Sequence, residues 1–287
     1  MRLANIDGRL AIKGPGGFVD AEAASQGRFG PDAQAALTEW AAFSSWAREF
    51  LASPEAATAP RLDIGAGTVW GPPVPRPAQI FAVGLNYRDH IAESGLDVPA
   101  GPAVFTKFVT SLTGHESAVH LPEGAVDWEA ELVVVIGGHC HRATRETAWS
   151  YVAGLTVGQD LSERRLQLTG PAPQFSLGKS YPGFAPTGPE LVSTDEFADP
   201  DDLELGCRLE DGEVLQKSRT SAMVFDVPEL ITRLSAVCPL LPGDLIFTGT
   251  PAGVGGARTP QKFLAPGDTL VTWIEGIGTL RTPMLAP

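Results

Sequence analysis

The chain has 287 residues, of which 43% are hydrophobic and 19% are charged, and this composition is typical of a folded globular protein and excludes wholesale disorder. Its 34 acidic residues outnumber its 21 basic ones and give a formal net charge of −13. This excess of negative charge argues against a broad nucleic-acid-binding face and against docking on an anionic membrane.

The first 72 residues are predicted to form a small α+β extension. Asp7-Gly8 is a turn pair between two apolar stretches, so residues 1–20 are expected to form a hairpin. Residues 31–52 carry apolar side chains at helical spacing and are predicted to form one amphipathic helix. The proline-rich stretch 70–77 is the best candidate boundary, and we place the division between 1–72 and 73–287.

The body of the chain is predicted to be mainly β-sheet. Its helical signals are few, and its strands and helices do not alternate as they do in a doubly wound sheet. We therefore expect an α+β, mainly β fold, a mixed sheet with peripheral helices. The predicted strands are 80–84, 129–136, 156–160, 203–209, 213–216, 244–248 and 269–275, and the predicted helices are 88–94, 145–152 and 227–235.

The cysteines and the start of the chain indicate a compartment. Cys140, Cys207 and Cys238 form neither a disulfide framework nor a C-x-x-C pair, which suits a reducing cytosol. The opening residues lack the apolar core of a signal peptide, and the densest apolar run, 132–136, is far too short to span a membrane. We expect a cytoplasmic protein that binds neither nucleic acid nor membrane.

Glu129 and Glu131 give the strongest chemical signal. Alternate residues of a strand face the same side, so both carboxylates project together from a strand that continues as an apolar run. Such a pair repels without a cation, and oxygen-only ligands favour Mg²⁺, Mn²⁺ or Ca²⁺ over zinc. The alternative is that both side chains point to solvent. Asp160 offers a third carboxylate, or else the N-cap of the segment that follows it.

His90 and Glu93 form a second candidate pair. In the predicted helix 88–94 they lie three residues apart on one face, where the carboxylate would orient the imidazole and raise its basicity. Gly84, Gly95 and Gly101 flank the segment and would suit a movable lid. The alternative is an ordinary surface helix with a weak ion pair.

Other motifs mainly narrow the possibilities. The required glycine before Gly178-Lys179-Ser180 is absent, so a phosphate loop is rejected and Lys179 is either a surface lysine or a cation for an anionic substrate. The loop 249–256 lacks a following helix, which favours a tight loop presenting Thr250 and backbone N–H groups over a dinucleotide site. No G-x-S-x-G is present, and His139-Cys140-His141 makes a poor zinc site.

Six segments in order resemble the fumarylacetoacetate hydrolase family over roughly 79–283. They are VGLNYRDHIAES (83–94), DWEAELVVVIG (127–137), YVAGLTVGQDLSERRLQ (151–167), LGKSYPGFAPTGP (177–189), DLIFTGTPAGVG (244–255) and GTLRTP (278–283). The resemblance implies a mixed β-roll that assembles as a homodimer. It also implies a site with the metal ligands Glu129, Glu131 and Asp160, the lid dyad His90 and Glu93, the catalytic residues Lys179, Gln167 and Thr250, and Arg164 near the metal strand. The candidate substrate-binding residues are Asn86, Arg88 and Arg164.

The sequence also departs from the family pattern beside the expected pocket. Gln159 stands where Asn is frequent, Arg165 stands where Asp is frequent, and residues 170–175 lack the usual Trp. These changes leave the identity of the substrate open. Arg88 and Arg165 could each recognise a second carboxylate or be surface charges.

The resemblance predicts a Mg²⁺-dependent hydrolase, with Mn²⁺ as the alternative metal, that cleaves a carbon–carbon bond of a small 2,4-dioxo acid to pyruvate and a carboxylic acid. The same site could decarboxylate an oxaloacetate-type acid or isomerise a 2-hydroxy-diene-dioate. A catalytically silent binding subunit is an outside alternative, and a nucleotide-dependent oxidoreductase lacks its glycine fingerprint.

Overall fold

The chain forms 18 strands, and the computed structural model describes every residue from 1 to 287. In chain order the strands are β1 Arg2–Ile6, β2 Arg9–Gly14, β3 Gly17–Asp20, β4 Trp70–Gly71, β5 Ile80–Gly84, β6 Ala103–Thr106, β7 Leu112–Thr113, β8 Val119–His120, β9 Val126–Asp127, β10 Ala130–Ile136, β11 Val152–Gln159, β12 Ser162–Glu163, β13 Ala185–Val192, β14 Glu204–Leu209, β15 Val214–Arg219, β16 Leu245–Phe247, β17 Thr269–Ile274 and β18 Gly278–Leu285.

Nine α-helices, most of them short, lie between the strands. They are α1 Ala21–Ala24, α2 Ala33–Thr38, α3 Trp40–Ala52, α4 Glu55–Thr58, α5 Arg88–Glu93, α6 Arg145–Ala148, α7 Arg164–Gln167, α8 Phe175–Gly178 and α9 Val227–Val237. Even α3, with 13 residues, falls short of a bilayer crossing, and no helix has the length and apolarity that a membrane span requires.

Two sheets carry the fold. The larger has 11 strands in the order β3-β2-β1-β13-β11-β10-β16-β5-β6, with β4 on β1 and β7 on β13. The smaller has the order β15-β14-β17-β18-β8. Parallel pairs join β16 to β5, β13 to β7 and β18 to β8, and the other pairs are antiparallel. The α+β, mainly β class expected from the sequence is confirmed.

The buried strand β10 separates two cores. Leu132, Val134 and Ile136 pack in a cluster with the smaller sheet and α9, whereas Val133 and Val135 pack in a cluster with α2 and α3. This alternation follows from the two-residue period of a strand. Because all seven residues of β10 are buried, the apolar run read from the sequence is the centre of a helix–sheet–sheet sandwich.

The predicted N-terminal hairpin is confirmed as β1 and β2, with positive φ at Asp7 and Gly8, and β3 adds a third strand. The single helix predicted over 31–52 is wrong: it is α2 and α3, broken at Glu39, whose φ is −109° and ψ is 32°. In one straight helix Leu37 and Phe43 would point roughly 120° apart. The break lets both side chains reach the same core.

The helix predicted over 145–152 ends at Ala148 and continues as a 3₁₀ turn, because Val152 already pairs with Ile136 as the first residue of β11. The division at 72/73 stays a prediction. In the structure β1 pairs with β13, and residues from both sides of that division share one core cluster.

Candidate metal and substrate site

The strand order brings four chain segments to one edge of the large sheet. β10 runs antiparallel to β11, with Ala130 opposite Gln159, and antiparallel to β16, with Val133 opposite Phe247. β5 runs parallel to β16. The start of β10 therefore meets the ends of β5, β11 and β16, and the residues just beyond these ends form the site.

Three carboxylates gather at this edge. Glu129 immediately precedes β10, Glu131 is the second residue of β10, and Asp160 follows the last residue of β11. One oxygen from each lies within 4.8 Å of the others, and the three residues are only 5%, 1% and 0% exposed. The side chains thus face one another and not solvent, and the alternative of exposed strand-end carboxylates is wrong for these residues.

Two buried lysines partly balance this negative charge. Lys179 Nζ lies 2.5 Å from Glu129 Oε2 and 2.7 Å from Asp160 Oδ2. Lys107 Nζ lies 2.5 Å from Asp160 Oδ1 and donates to the backbone oxygen of Lys179. Burial opposes the charge of Lys179, but Asp160 and Glu129 outweigh it and raise its pKa. Burial lowers the pKa of Lys107, which has only one carboxylate partner.

Glu129 and Glu131 differ sharply in electrostatic environment. Burial disfavours the ionised form of Glu129, but Lys179 and Arg164 outweigh burial and lower its pKa to about 2. Burial and the charges of Asp160 and Glu129 hold the pKa of Glu131 well above its ordinary value. The one hydrogen bond to the Glu131 carboxylate comes from the backbone N–H of Gly249, at 2.8 Å. Glu131 therefore lacks a cation, and the three hard oxygen donors fit Mg²⁺ or Mn²⁺.

Arg164 closes another side of the site. Its Nη1 lies 2.7 Å from Glu129 Oε1 and donates to Gln167 Oε1 at 3.0 Å. Its Nε donates to Asp127 Oδ2 at 2.8 Å. Asp127 is fully buried and also accepts from the backbone N–H groups of Gly255 and Gly256, at 2.7 and 2.9 Å. Asp127 thereby fixes both Arg164 and the glycine-rich loop.

The predicted dyad is present on α5, which we call the lid helix. His90 Nδ1 lies 2.7 Å from Glu93 Oε1, and Glu93 Oε2 accepts from the backbone N–H of Gly253 at 2.9 Å. Burial opposes ionisation of Glu93, but these hydrogen bonds from His90 and Gly253 lower its pKa. The lid helix is therefore attached to the loop 249–256 through the same carboxylate that orients the imidazole.

The hydroxyl of Thr250 is already engaged. It donates to the backbone oxygen of Ala130 at 3.0 Å and accepts from Gln216 Nε2 at 2.9 Å. Its backbone N–H makes no hydrogen bond, so this N–H is the donor available at position 250. The turn before it requires glycine: Gly249 has φ of 98°, and a Cβ there would lie 2.7 Å from Asn86 Cβ.

A cavity of about 740 Å³ lies over these groups, within the range typical of small-molecule sites. Asp160, Asn86 and Arg88 do not line it. Asn86 is fully buried and bonds Phe225 and Thr248 backbone atoms, whereas Arg88 is exposed. The remaining predicted site residues line the cavity: His90, Glu93, Glu129, Glu131, Arg164, Gln167, Lys179 and Thr250.

Sequence reasoning missed three supporting residues. Of these, Lys107 could have been identified from the sequence, because it is the single basic residue in the largely apolar run 103–109. Asp127 opens the family-like segment 127–137, but the sequence pattern did not indicate its contacts with Arg164 and the glycine-rich loop. Gln216 bonds Ala130, Thr250 and Pro251, and nothing in its local sequence signals these contacts.

The chain matches a known protein family over most of its length. The family profile described as fumarylacetoacetate (FAA) hydrolase C-terminal matches residues 79–285. Oxaloacetate tautomerase FAHD2A, a mitochondrial protein of Bos taurus, is 44% identical over 210 residues, which are 72% of this chain and 67% of that protein.

Solved structures resemble the whole chain. An HpcE-like protein from Mycobacterium smegmatis is 54% identical and superposes with a TM-score of 0.93 over 100% of this chain and 99% of its own. Maleylpyruvate hydrolase from Sphingobium sp. SYK-6, solved with manganese(II) and pyruvate, is 27% identical with a TM-score of 0.80 over 100% of this chain and 99% of its own.

Proposed function

The chain belongs to the fumarylacetoacetate hydrolase family, an enzyme family, and on that premise we propose that it is a Mg²⁺- or Mn²⁺-dependent hydrolase of 2,4-dioxo acids. It cleaves the carbon–carbon bond between C3 and C4 and releases pyruvate and a carboxylic acid. One observation carries the proposal: the His90–Glu93 dyad and the carboxylates of Glu129 and Glu131 line the same cavity, with Asp160 beside them.

The metal ligands are Glu129, Glu131 and Asp160. A bound divalent cation would hold the carboxylate and 2-oxo oxygens of the substrate and polarise the ketone. The manganese and pyruvate in the maleylpyruvate hydrolase structure support this assignment, as does the absence of a cation partner for Glu131.

His90 is the general base. The Glu93 carboxylate is hydrogen-bonded to Nδ1 of the imidazole. Nε2 is therefore the nitrogen that takes a proton from a water molecule in the cavity. The resulting hydroxide attacks C4, the C3–C4 bond breaks, and C3 takes the proton from His90. The water is consumed, and no other reactant is needed.

Three donors remain for the substrate oxygens. Lys179 has three N–H groups and uses two of them on Glu129 and Asp160. The amide nitrogen of Gln167 is free because only its oxygen is engaged, by Arg164. The backbone N–H of Thr250 is the third. These groups stabilise the negative charge that develops at the 4-carbonyl oxygen.

A second candidate is keto–enol tautomerisation of oxaloacetate, which the activity named for the Bos taurus relative favours. The same base would remove a proton from C3, and the proton would return to oxygen without attack by water. The two reactions differ in whether a water molecule occupies the position beside His90 when the substrate is bound.

Product analysis by NMR tests the proposal. Purified protein with Mg²⁺ or Mn²⁺ is given acetylpyruvate, fumarylpyruvate or oxaloacetate in separate reactions. Pyruvate with acetate or fumarate is the expected result, and it should disappear in His90→Gln but persist in His141→Gln, a change at an exposed histidine. Faster tautomer exchange of oxaloacetate without cleavage of any substrate would establish the tautomerase instead, and release of CO₂ would establish a decarboxylase.

A further inference from the structure

Three strongly basic side chains line the cavity, and one of them has no partner. Arg164 and Lys179 are held by Asp127, Glu129 and Asp160. Arg165 lines the same cavity, is exposed, and makes no side-chain hydrogen bond or ion pair. The chain has a formal charge of −13, so unpaired cations are few. A free guanidinium in a cavity wall would attract an anionic ligand.

The acidic residue nearest to Arg165 in the sequence, Glu163, does not neutralise it. Glu163 is only 4% exposed, and its oxygens accept from the backbone N–H groups of Ala125, Arg165 and Leu166 at 2.7, 3.2 and 2.7 Å. Glu163 therefore caps the short helix α7 and fixes the backbone of residue 165. The guanidinium is left free beside a fixed main chain.

Much of the rest of the wall is apolar. Phe105 and Phe175 meet edge to face, with ring centroids 5.6 Å apart, and Leu168 and Phe263 also line the cavity. The cavity lining thus combines buried carboxylates, hydrocarbon surface and one free, exposed guanidinium. This distribution suits a carbon chain with an acidic group at each end.

We propose that Arg165 selects substrates that carry a second carboxylate, at the end remote from the 2-oxo acid group. The planar guanidinium can donate two parallel hydrogen bonds to a carboxylate. The inference rests on the proposed function, because the 2-oxo acid end must lie at the metal site for the remote end to reach Arg165. Among 2,4-dioxo acids, a dicarboxylic one is then preferred over a simple alkyl acylpyruvate.

Binding of two stable compounds tests this inference without turnover. 2-Oxoadipate and 2-oxohexanoate match in chain length and differ in one terminal carboxylate, and neither has the 4-oxo group needed for cleavage. Titration calorimetry with Mg²⁺ or Mn²⁺ present should show 2-oxoadipate bound roughly tenfold more tightly by the wild type, the size expected of a hydrogen bond to a charged group. Added salt should reduce this preference.

Arg88 supplies the matched control. It is also an exposed arginine without an ion pair, but it lies outside the cavity. Arg165→Gln should abolish the preference for 2-oxoadipate, Arg165→Lys should keep part of it, and Arg88→Gln should keep all of it. With a dicarboxylic substrate that is turned over, Arg165→Gln should raise KM about tenfold and change kcat little.

The possible failures are distinguishable. If the wild type binds both compounds equally, or if Arg165→Gln keeps the preference, the role of Arg165 is wrong and the proposed function stands. An equal loss in Arg88→Gln would show a general surface-charge effect and would also overturn the inference. If neither compound binds in the presence of metal, the 2-oxo acid site itself is contradicted, and the inference falls with it.

Discussion

Lys107 Nζ and Asp160 Oδ1 lie 2.5 Å apart, and neither side chain is exposed to solvent. The same ammonium donates to the backbone oxygen of Lys179, whose own side chain pairs with Asp160 Oδ2. Asp160 is therefore held from two sides before any metal binds. Lys107, which does not line the cavity, supports the position of both a proposed metal ligand and a proposed oxyanion donor.

Replacement of Lys107 should be costly for stability. Lys107→Met leaves a buried carboxylate without one of its cations, and we expect the free energy of unfolding to fall by about 3–5 kcal/mol. Urea denaturation of the metal-free protein measures this loss. Lys217→Met is the control, because Lys217 pairs with Glu204 on the surface, where ion pairs contribute little. Equal losses in the two variants would contradict the structural role of Lys107.

Replacement of Glu131 should stabilise the metal-free protein and weaken metal binding. In Glu131→Gln a carboxylate repelled by Asp160 and Glu129 becomes neutral, so the metal-free variant should melt above the metal-free wild type. Its affinity for Mg²⁺ or Mn²⁺ should fall by more than the roughly 10- to 100-fold that loss of an outer-shell partner costs. Scanning calorimetry and metal titration measure the two effects.

The control for this experiment is Glu190→Gln. Glu190 is buried and pairs with Arg2 and Lys13, away from the site, so its loss should lower the melting temperature and leave metal affinity unchanged. Metal affinity in Glu131→Gln equal to that of the wild type would remove Glu131 from the ligand set.

The lid contact should depend on pH. The pKa of Glu93 is held below its ordinary value of 4.5 by His90 and Gly253, so its contribution to stability is present above about pH 4.5 and is lost as the pH falls through the lower folded value. The stability difference between wild type and Glu93→Gln should therefore be largest above this pH and shrink below it. Unfolding free energies over this range measure the difference.

Glu39→Gln, at an exposed glutamate, provides the control and should leave the shape of the pH profile unchanged. Hydrogen exchange at the Gly253 amide should quicken in Glu93→Gln, since that N–H donates to the replaced carboxylate. A stability difference that does not vary between pH 3 and pH 6 would show that the ionised form of Glu93 is not what fixes the lid helix.

The edge of the large sheet should pair with a second copy of the chain. β6 is the last strand of its sheet, and Val104, Phe108 and Val109 beside it are 45%, 48% and 48% exposed. An unpaired edge with exposed apolar residues favours association. We expect light scattering to give twice the chain mass, and Phe108→Asp to reduce it. Val237→Asp, at a residue of α9 that is 81% exposed, should not change the mass, and a monomeric wild type would contradict the prediction.

The parts of the site that follow local periodicity could be predicted. The two-residue period of a strand places Glu129 and Glu131 on one side, and the three-residue spacing of His90 and Glu93 on a helix brings their side chains together. The structure has both arrangements. Each requires knowledge of a single element only, so a short stretch of sequence is enough.

The parts that depend on distant contacts could not be predicted. Asn86 lies two residues before the lid helix, yet its side-chain amide bonds to the backbone of residues 225 and 248. No local sequence pattern indicates those partners. The hydroxyl of Thr250 was expected to serve the substrate, but it is used by Ala130 and Gln216. The helix break at Glu39 likewise depends on the sheet against which Leu37 and Phe43 pack.

The meeting of four chain segments at one sheet edge has a kinetic consequence. Glu93 and Gly253, which join the lid helix to the glycine loop, are 160 positions apart in the chain, and Glu129 reaches Asp160 only when β10 and β11 have paired. Contacts of such long sequence separation form slowly during folding. A chain in which β10 and β11 have not paired therefore has no complete set of ligands, and metal binding should suppress global unfolding and the proteolysis that depends on it, with little effect on local opening at the surface.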